Sequence, residues 1–258
     1  MQELAGRFRI DLNRRDRSLT RAELARGLGS ADGIVTMLSD RIDRMLIAHA
    51  PHLKIIANYA VGFNNIDLAA ATERRIAVTN TPGVLTESTA DLTWALILAT
   101  ARRLPEGERL VRSRRWTGWA PTQLLGCDIF GRTLGIVGMG RIGQAVARRA
   151  AGFQMRILYF SRRPLPYALE RRLGAEFVPL PRLLRGSDFV SLHLPLTPAS
   201  HHLVDGHALD LMRPGAFLIN TARGAIVDEP ALARALVERR IGLCPPFRGL
   251  WRPLGDHG

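Results

Sequence analysis

Short apolar runs rich in β-branched residues alternate with amphipathic stretches along most of this chain. In the first hundred residues the strand patterns are "GIVTML" (33–38), "KIIANYA" (54–60) and "IAVTN" (76–80). Helical periodicity falls between them at "DRIDRMLIAHA" and "NIDLAAATERR", and "SLTRAELARGL" ahead of them carries Thr20 and Glu23 in capping-box spacing. Strands that alternate with helices of this length need crossover connections, so the pattern predicts βαβα units and a parallel sheet. "TESTADLTWALILATARRL" (86–104) is the longest helical pattern and predicts a connector between two domains, closed by a break at Pro105-Glu106-Gly107.

A second alternation begins at "RTLGIVGMG" and continues through "MRILYF", "EFVPL", "DFVSLHL" and "GAFLIN", with helical stretches such as "RIGQAVARRAAGF" and "LPRLLRGS" between them. The last predicted helix, "EPALARALVERR" (229–240), has acids at its start and Arg at its end, as the helix dipole favours. Another strand is due next. Instead "LCPPFRGLWRPLGDHG" follows, and Pro245-Pro246 would remove ladder donors from a central strand.

Composition narrows this picture. With 258 residues and 47% hydrophobic content, the chain can form one large or two modest domains, each with its own core. No run of 18 or more apolar residues occurs, and the start "MQELAGRFRIDLNRRD" lacks the apolar stretch of a secretory signal; the expectation is a cytoplasmic protein with no membrane partner. Cys127 and Cys244 have neither paired spacing nor a neighbouring His, so they read as bystanders, and no metal site is predicted. The net charge of +13 raises nucleic acid as a partner. Yet of the 36 Lys and Arg residues only Lys54 is lysine, and the arginines are scattered as singles and pairs, which predicts solvated faces and no specific nucleic-acid site.

Candidate chemistry lies at "LGIVGMGRIG". Gly138, Gly140 and Gly143 have G-x-G-x-x-G spacing directly after an apolar strand and opening a helix. Glycines allow a tight turn and close approach of backbone to a pyrophosphate, while the helix N-terminus offers unpaired N–H groups to the anion. The strand after that helix ends in "YFSRRP". An NAD site has an Asp or Glu there to accept from the ribose 2′-hydroxyl; Ser161, Arg162 and Arg163 suit a 2′-phosphate instead. The expected cofactor is therefore NADP(H), with NAD(H) possible and a merely solvated Arg pair as the bland alternative.

Six ordered motifs, "NYAVGFNNID", "NTPGVLTESTADLTWAL", "GRTLGIVGMGRIGQAVARR", "LYFSRR", "SLHLPLTP" and "LINTARGAIVDE", resemble the D-2-hydroxyacid dehydrogenase family, most closely its glyoxylate and hydroxypyruvate reductase branch. The resemblance spans about residues 18–242. It implies an α/β fold of two Rossmann- or flavodoxin-like parallel-sheet domains, both incomplete here. Residues 1–104 would form a substrate domain lacking its first strand and C-terminal helix, residues 105–243 an NADP-binding domain lacking its last strands, and residues 244–258 an aberrant tail. The activity implied is NADPH-dependent reduction of a small 2-keto acid to the D-2-hydroxy acid. By the same resemblance Arg223 binds the substrate carboxylate and polarises the carbonyl, with Val61 and Gly62 completing the substrate site. Met139, Gly140, Arg141 and Ile142 meet the pyrophosphate, Ser161, Arg162 and Arg163 the ribose phosphate, and Thr89, Leu194, Pro195, Thr221 and Ala222 line the nicotinamide side. Trp116 or Trp119 would reach a neighbouring subunit and imply a homodimer, ordinary packing being the alternative.

The family's proton donor, a His paired with a Glu, lies downstream of "NTARG" and has no counterpart in this sequence. His193 falls in a loop where the family uses mainly backbone, His201 and His202 read as solvated, and His257 has no accompanying Glu. The pattern breaks after Ile241 as a shifted reading frame or truncated gene would make it, and reading the nucleotide sequence in the other frames tests that. Impaired activity and marginal stability are the expectations, with a non-catalytic dinucleotide-binding or dimerising remnant as the alternative function.

Overall fold

The computed structural model describes residues 6–242, so the tail, with Cys244 and His257, lies outside the described residues. The chain divides into two compact units, residues 1–84 and 85–258.

The first unit contains helix α1 (Arg21–Leu28), strand β1 (Gly33–Thr36), α2 (Arg44–Ala48), β2 (Ile55–Asn58), α3 (Leu68–Glu73) and β3 (Ala77–Thr79). The strands are parallel in the order β1-β2-β3, with Ile34 opposite Ile56 and Ile56 opposite Val78. The local signals act as read. Thr20 and Glu23 form both halves of the capping box on α1, while Asp43 and Asp67 accept from Leu46 N and Ala70 N at the starts of α2 and α3. Leu24, Leu28, Leu46, Ile47, Ile56 and Ala70 pack into one core. The other face of this sheet carries Val35, 72% exposed, and Ile55, 40% exposed.

The second unit begins with α4 (Thr86–Ala101) and α5 (Leu104–Arg112). It continues with β4 (Thr133–Val137), α6 (Arg141–Ala150), β5 (Arg156–Phe160), α7 (Tyr167–Leu173), β6 (Ala175–Phe177) and α8 (Leu180–Gly186). Then come β7 (Phe189–Leu192), α9 (Gly206–Leu211), β8 (Phe217–Asn220) and α10 (Glu229–Val237). All five strands are parallel, in the order β6-β5-β4-β7-β8. Strand order thus reverses at β4, which places a crevice at the carboxyl ends of β4 and β7. One core joins α4 and α6 to the sheet through Trp94, Ile97, Leu134, Ile136 and Val146; a second holds α8, α9 and α10 on the other face through Leu183, Leu184, Leu209 and Ala235.

Two expectations are corrected. The units divide at Val84, twenty residues earlier than the expected boundary at 104, because α4 packs on α6. Trp94 stacks on Phe153 with ring centroids 4.7 Å apart and donates from Nε1 to Val146 O at 3.1 Å. Ion pairs of Arg148 and Arg149 with Glu87 and of Arg149 with Asp91 reinforce the same packing. Pro105 does not end helical structure but opens α5, whose first turn has no backbone donor to lose; the break is at Arg103, which adopts φ +55°.

Candidate functional site

β4 runs into the glycine loop and the loop into α6, so the chain reverses at the carboxyl end of the sheet. Each glycine there has a separate reason. Gly138 has φ +102°, and a Cβ on it would lie 2.4 Å from the His193 carbonyl oxygen. Gly143 lets α6 sit against the strand, since its Cβ would be 2.1 Å from Gly138 O. Gly140 differs: a Cβ there would meet nothing within 4 Å, so the loop leaves open room above the first turn of α6. Gly140 caps that helix without a side-chain hydrogen bond, which leaves the first-turn N–H groups available to an anion. An open cradle over an uncapped helix N-terminus fits a dinucleotide pyrophosphate. Met139 is buried beneath the loop, and its carbonyl accepts from Gln144 Nε2 at 3.1 Å. Arg141 and Ile142 form the first turn of α6.

The segment after β5 is held by a residue that sequence reasoning missed. Tyr159 is fully buried; its hydroxyl donates to Glu170 Oε1 at 2.5 Å and accepts from Leu165 N at 2.7 Å. Burial and the Glu170 carboxylate push its pKa up to about 12. The loop between, with Ser161, Arg162 and Arg163, is thereby clamped at both ends. Ser161 Oγ donates to the Arg163 carbonyl, and both guanidiniums are exposed. Neither Arg162 nor Arg163 forms an ion pair among the described residues, whereas Arg156 nearby is paired with Glu176. No carboxylate lies within "YFSRRP" itself.

Two further loops leave the same end of the sheet. After β7, His193 N donates to Val137 O at 2.8 Å, which pins the loop carrying Leu194 and Pro195 against the glycine turn. His193 Nε2 lies 2.8 Å from Ser191 Oγ, and burial lowers the imidazole pKa to about 4, so the ring is neutral at ordinary pH. After β8, Asn220 ties the next turn: its Oδ1 accepts from Ala222 N and its Nδ2 donates to Arg223 O, both at 2.9 Å. Arg223 is half-buried in extended backbone, and its Nη1 donates to Ala222 O at 2.8 Å. Burial lowers its pKa from the ordinary value. Thr221 reaches Thr93 on α4, one turn beyond Thr89. The structure therefore brings Thr89, the glycine loop, Ser161–Arg163, Leu194, Pro195, Thr221, Ala222 and Arg223 to one end of the second unit.

Val61 and Gly62 belong to the first unit, in the loop after β2. Asn58 is buried and donates from Nδ2 to Gly62 O at 2.6 Å; Asn80 Nδ2 donates to Val61 O at 2.8 Å. Asn65 closes the loop, donating to Met37 O and Asp40 O at 3.1 Å each. With those two carbonyls engaged by side-chain amides, the backbone N–H groups are the polar atoms the loop can offer an acid.

His201 and His202 are exposed and stacked on each other, and His202 N donates to Ala225 O at 2.9 Å, two residues past Arg223. Trp116 and Trp119 are 55% and 82% exposed, which excludes a core role within the chain. A cavity of about 200 Å³ lined by Asp128, Arg132, Asp188 and Arg213 lies at the opposite, amino ends of β7 and β8. Its charges are partly internal, since Asp188 pairs with Arg213 at 3.1 Å. Among the described residues no group of His, Cys, Asp and Glu could hold a metal ion, and no helix is long and apolar enough to cross a membrane.

An open parallel sheet with a glycine loop and an uncapped helix N-terminus at its switch point defines a dinucleotide-binding class of protein, and comparison with known proteins agrees. Residues 94–244 match the family described as D-isomer specific 2-hydroxyacid dehydrogenase, NAD binding domain. The chain belongs to that family. A glyoxylate reductase of Thermococcus onnurineus (strain NA1) is 51% identical over 235 residues, 90% of this chain and 70% of the relative. The crystal structure of the TT0316 protein from Thermus thermophilus superposes with TM-score 0.86 at 45% identity, covering 99% of this chain and 80% of that one. A glyoxylate reductase structure from Paecilomyes thermophila gives TM-score 0.77 at 36% identity over 86% and 71% of the two chains.

Proposed function

We propose that this protein is an NADPH-dependent reductase of a small 2-keto acid, glyoxylate or hydroxypyruvate, forming the 2-hydroxy acid, of D configuration where the product is chiral. The observation that carries the reading is the open glycine cradle on α6 followed, at the end of β5, by two unpaired arginines where an NAD site has an acid. When bound, the dinucleotide supplies the hydride. The helix N-terminus and the loop from Met139 to Ile142 hold its pyrophosphate, and Ser161, Arg162 and Arg163 hold its 2′-phosphate. Arg223 engages the substrate carboxylate and polarises the carbonyl as negative charge develops on its oxygen. In the first unit, the backbone N–H groups of Val61 and Gly62 are assigned to substrate binding.

The reaction also requires a proton at the carbonyl oxygen. His193, the histidine nearest the glycine loop in the chain path, is neutral and tied to Ser191, so it is a poor acid near neutral pH. Loss of general acid catalysis costs roughly a hundredfold to ten-thousandfold in rate, and we take slow turnover as the expected behaviour of this sequence. That same observation favours a second reading, a dinucleotide-binding protein without turnover. The exposure of Trp116 and Trp119 supports a homodimer in either case.

Binding of NADPH and NADH, and consumption of each with glyoxylate or hydroxypyruvate, test the proposal. The wild-type protein should prefer NADPH, and combined Arg162→Ala and Arg163→Ala should abolish the preference by weakening NADPH about tenfold or more, two charge-assisted contacts being lost. Equal affinity for the two cofactors in the wild type refutes the NADP assignment; NADPH binding with no consumption above the protein-free rate selects the second reading.

A further inference from the structure

Thr93 is wholly buried on α4, and the network it joins has a definite direction. Its Oγ1 is 2.8 Å from the Thr89 carbonyl oxygen and 3.1 Å from Thr221 Oγ1. A hydroxyl has one proton, and a carbonyl has none to give. Thr93 therefore donates to Thr89 O, and the proton between the two hydroxyls is that of Thr221. The chain of donation runs from Thr221 to Thr93 to the Thr89 carbonyl. Its consequence falls on Thr221. With its only proton turned toward α4, that hydroxyl has lone pairs alone for any group that approaches from the crevice.

The strand order says which part of a dinucleotide that group belongs to. With the pyrophosphate over Gly140 at the end of β4, the Ser161–Arg163 loop beyond β5 takes the adenosine side. The other nucleoside then extends toward β7 and β8, where Thr221 stands at the first position past the strand. Two strand spacings of about 4.8 Å separate β4 from β8, a reach of roughly 10 Å. The groups at that end able to donate to a lone pair are the ribose hydroxyls and the carboxamide nitrogen of the nicotinamide, and of these the carboxamide is carried on the ring itself.

We propose that Thr93 is a positioning residue that fixes Thr221 as a pure acceptor for the carboxamide N–H of bound nicotinamide, and so sets which way round the carboxamide lies. The inference rests on the dinucleotide reading above and assigns a task to a side chain that touches no ligand. It follows that the second unit should discriminate against a cofactor whose ring carries no N–H donor.

The test measures affinity by protein fluorescence for NADPH and for its reduced 3-acetylpyridine analogue, in which a methyl ketone replaces the carboxamide. Wild type, Thr93→Ser, Thr93→Val and Thr221→Val are compared. Valine is close to threonine in size, and Thr89 O keeps its helical bond from the residue 93 backbone, so α4 is retained. Wild type and Thr93→Ser should favour NADPH about two- to tenfold, the equivalent of one neutral hydrogen bond. Both valine variants should lose that preference, Thr221→Val because the acceptor is gone and Thr93→Val because Thr221 is freed to rotate and donate to the ketone. Equal affinities in the wild type, or an undiminished preference in Thr93→Val, overturn the proposal. Binding of 2′,5′-ADP, which lacks the nicotinamide, separates the two levels: if neither it nor NADPH binds, the dinucleotide reading fails; if both bind without discrimination, only the role of Thr93 does.

Discussion

Gly138 and Gly140 stand two residues apart, and the structure requires an added methyl to do opposite things at each. In Gly138→Ala the new Cβ would lie 2.4 Å from His193 O and 2.7 Å from His193 C, at φ +102°. Holding an L-residue in that backbone region costs about 1–3 kcal/mol, and the overlap with backbone, which cannot swing aside, adds roughly 1–3 kcal/mol. At about 2–4 °C per kcal/mol for a domain of this size, the second unit should melt roughly 4–24 °C lower. In Gly140→Ala the methyl meets nothing within 4 Å, and φ −75°, ψ −163° suits alanine. Stability should change by about 0.5 kcal/mol or less. The methyl instead occupies the room needed for the pyrophosphate, and losing one charge-assisted hydrogen bond of about 1.5–3 kcal/mol weakens NADPH roughly tenfold to a hundredfold. Thermal melts followed by circular dichroism and NADPH titrations of both variants are the assay. The reasoning is refuted if Gly140→Ala binds NADPH like the wild type, or if Gly138→Ala melts with it.

Arg223→Lys should lower kcat/KM for the keto acid about tenfold or more with NADPH affinity unchanged, because an ammonium cannot reproduce the fork of a guanidinium; a small effect shared equally by both ligands would refute the assignment. Tyr159 has its folded pKa raised to about 12 against an ordinary value of 10, so its contribution to stability is complete below pH 10 and is lost as pH rises toward 12. Urea melts of wild type and Tyr159→Phe should show that alkaline loss only in the wild type. His193 has its folded pKa lowered to about 4 from 6.5, so the unfolded chain binds the extra proton between those values, and stability is complete above pH 6.5 and falls as pH drops toward 4. His193→Asn should flatten that acid limb in the same melts; an unchanged slope would show that another group is responsible.

Much of the second unit was legible because its signals are local. The glycine spacing, the apolar run before it and the helix after it follow from backbone geometry within a few residues. Asp205 and Asp228 likewise cap α9 and α10 through donors three residues on. The absence of an acid at "YFSRRP" is a fact of the sequence itself. Pro105 was misread because proline breaks a helix in its interior and is tolerated in its first turn, and nothing nearby shows which turn it occupies. The unit boundary was misplaced for a related reason: a long helix reads the same whichever core it joins, and tertiary contacts such as Trp94 with Val146 and the Arg148 and Arg149 ion pairs assign it to α6.

The sequence by itself determined the parallel α/β architecture and the glycine loop that opens a helix after β4, since each rests on residue types at short spacing. Only the tertiary structure decided that Tyr159 clamps the arginine loop, that Asn58 and Asn80 engage the carbonyls of Gly62 and Val61, and that Thr93 meets Thr221. Those contacts join residues up to 128 positions apart, and a hydroxyl's direction follows from which acceptors surround it, which only the folded chain brings together.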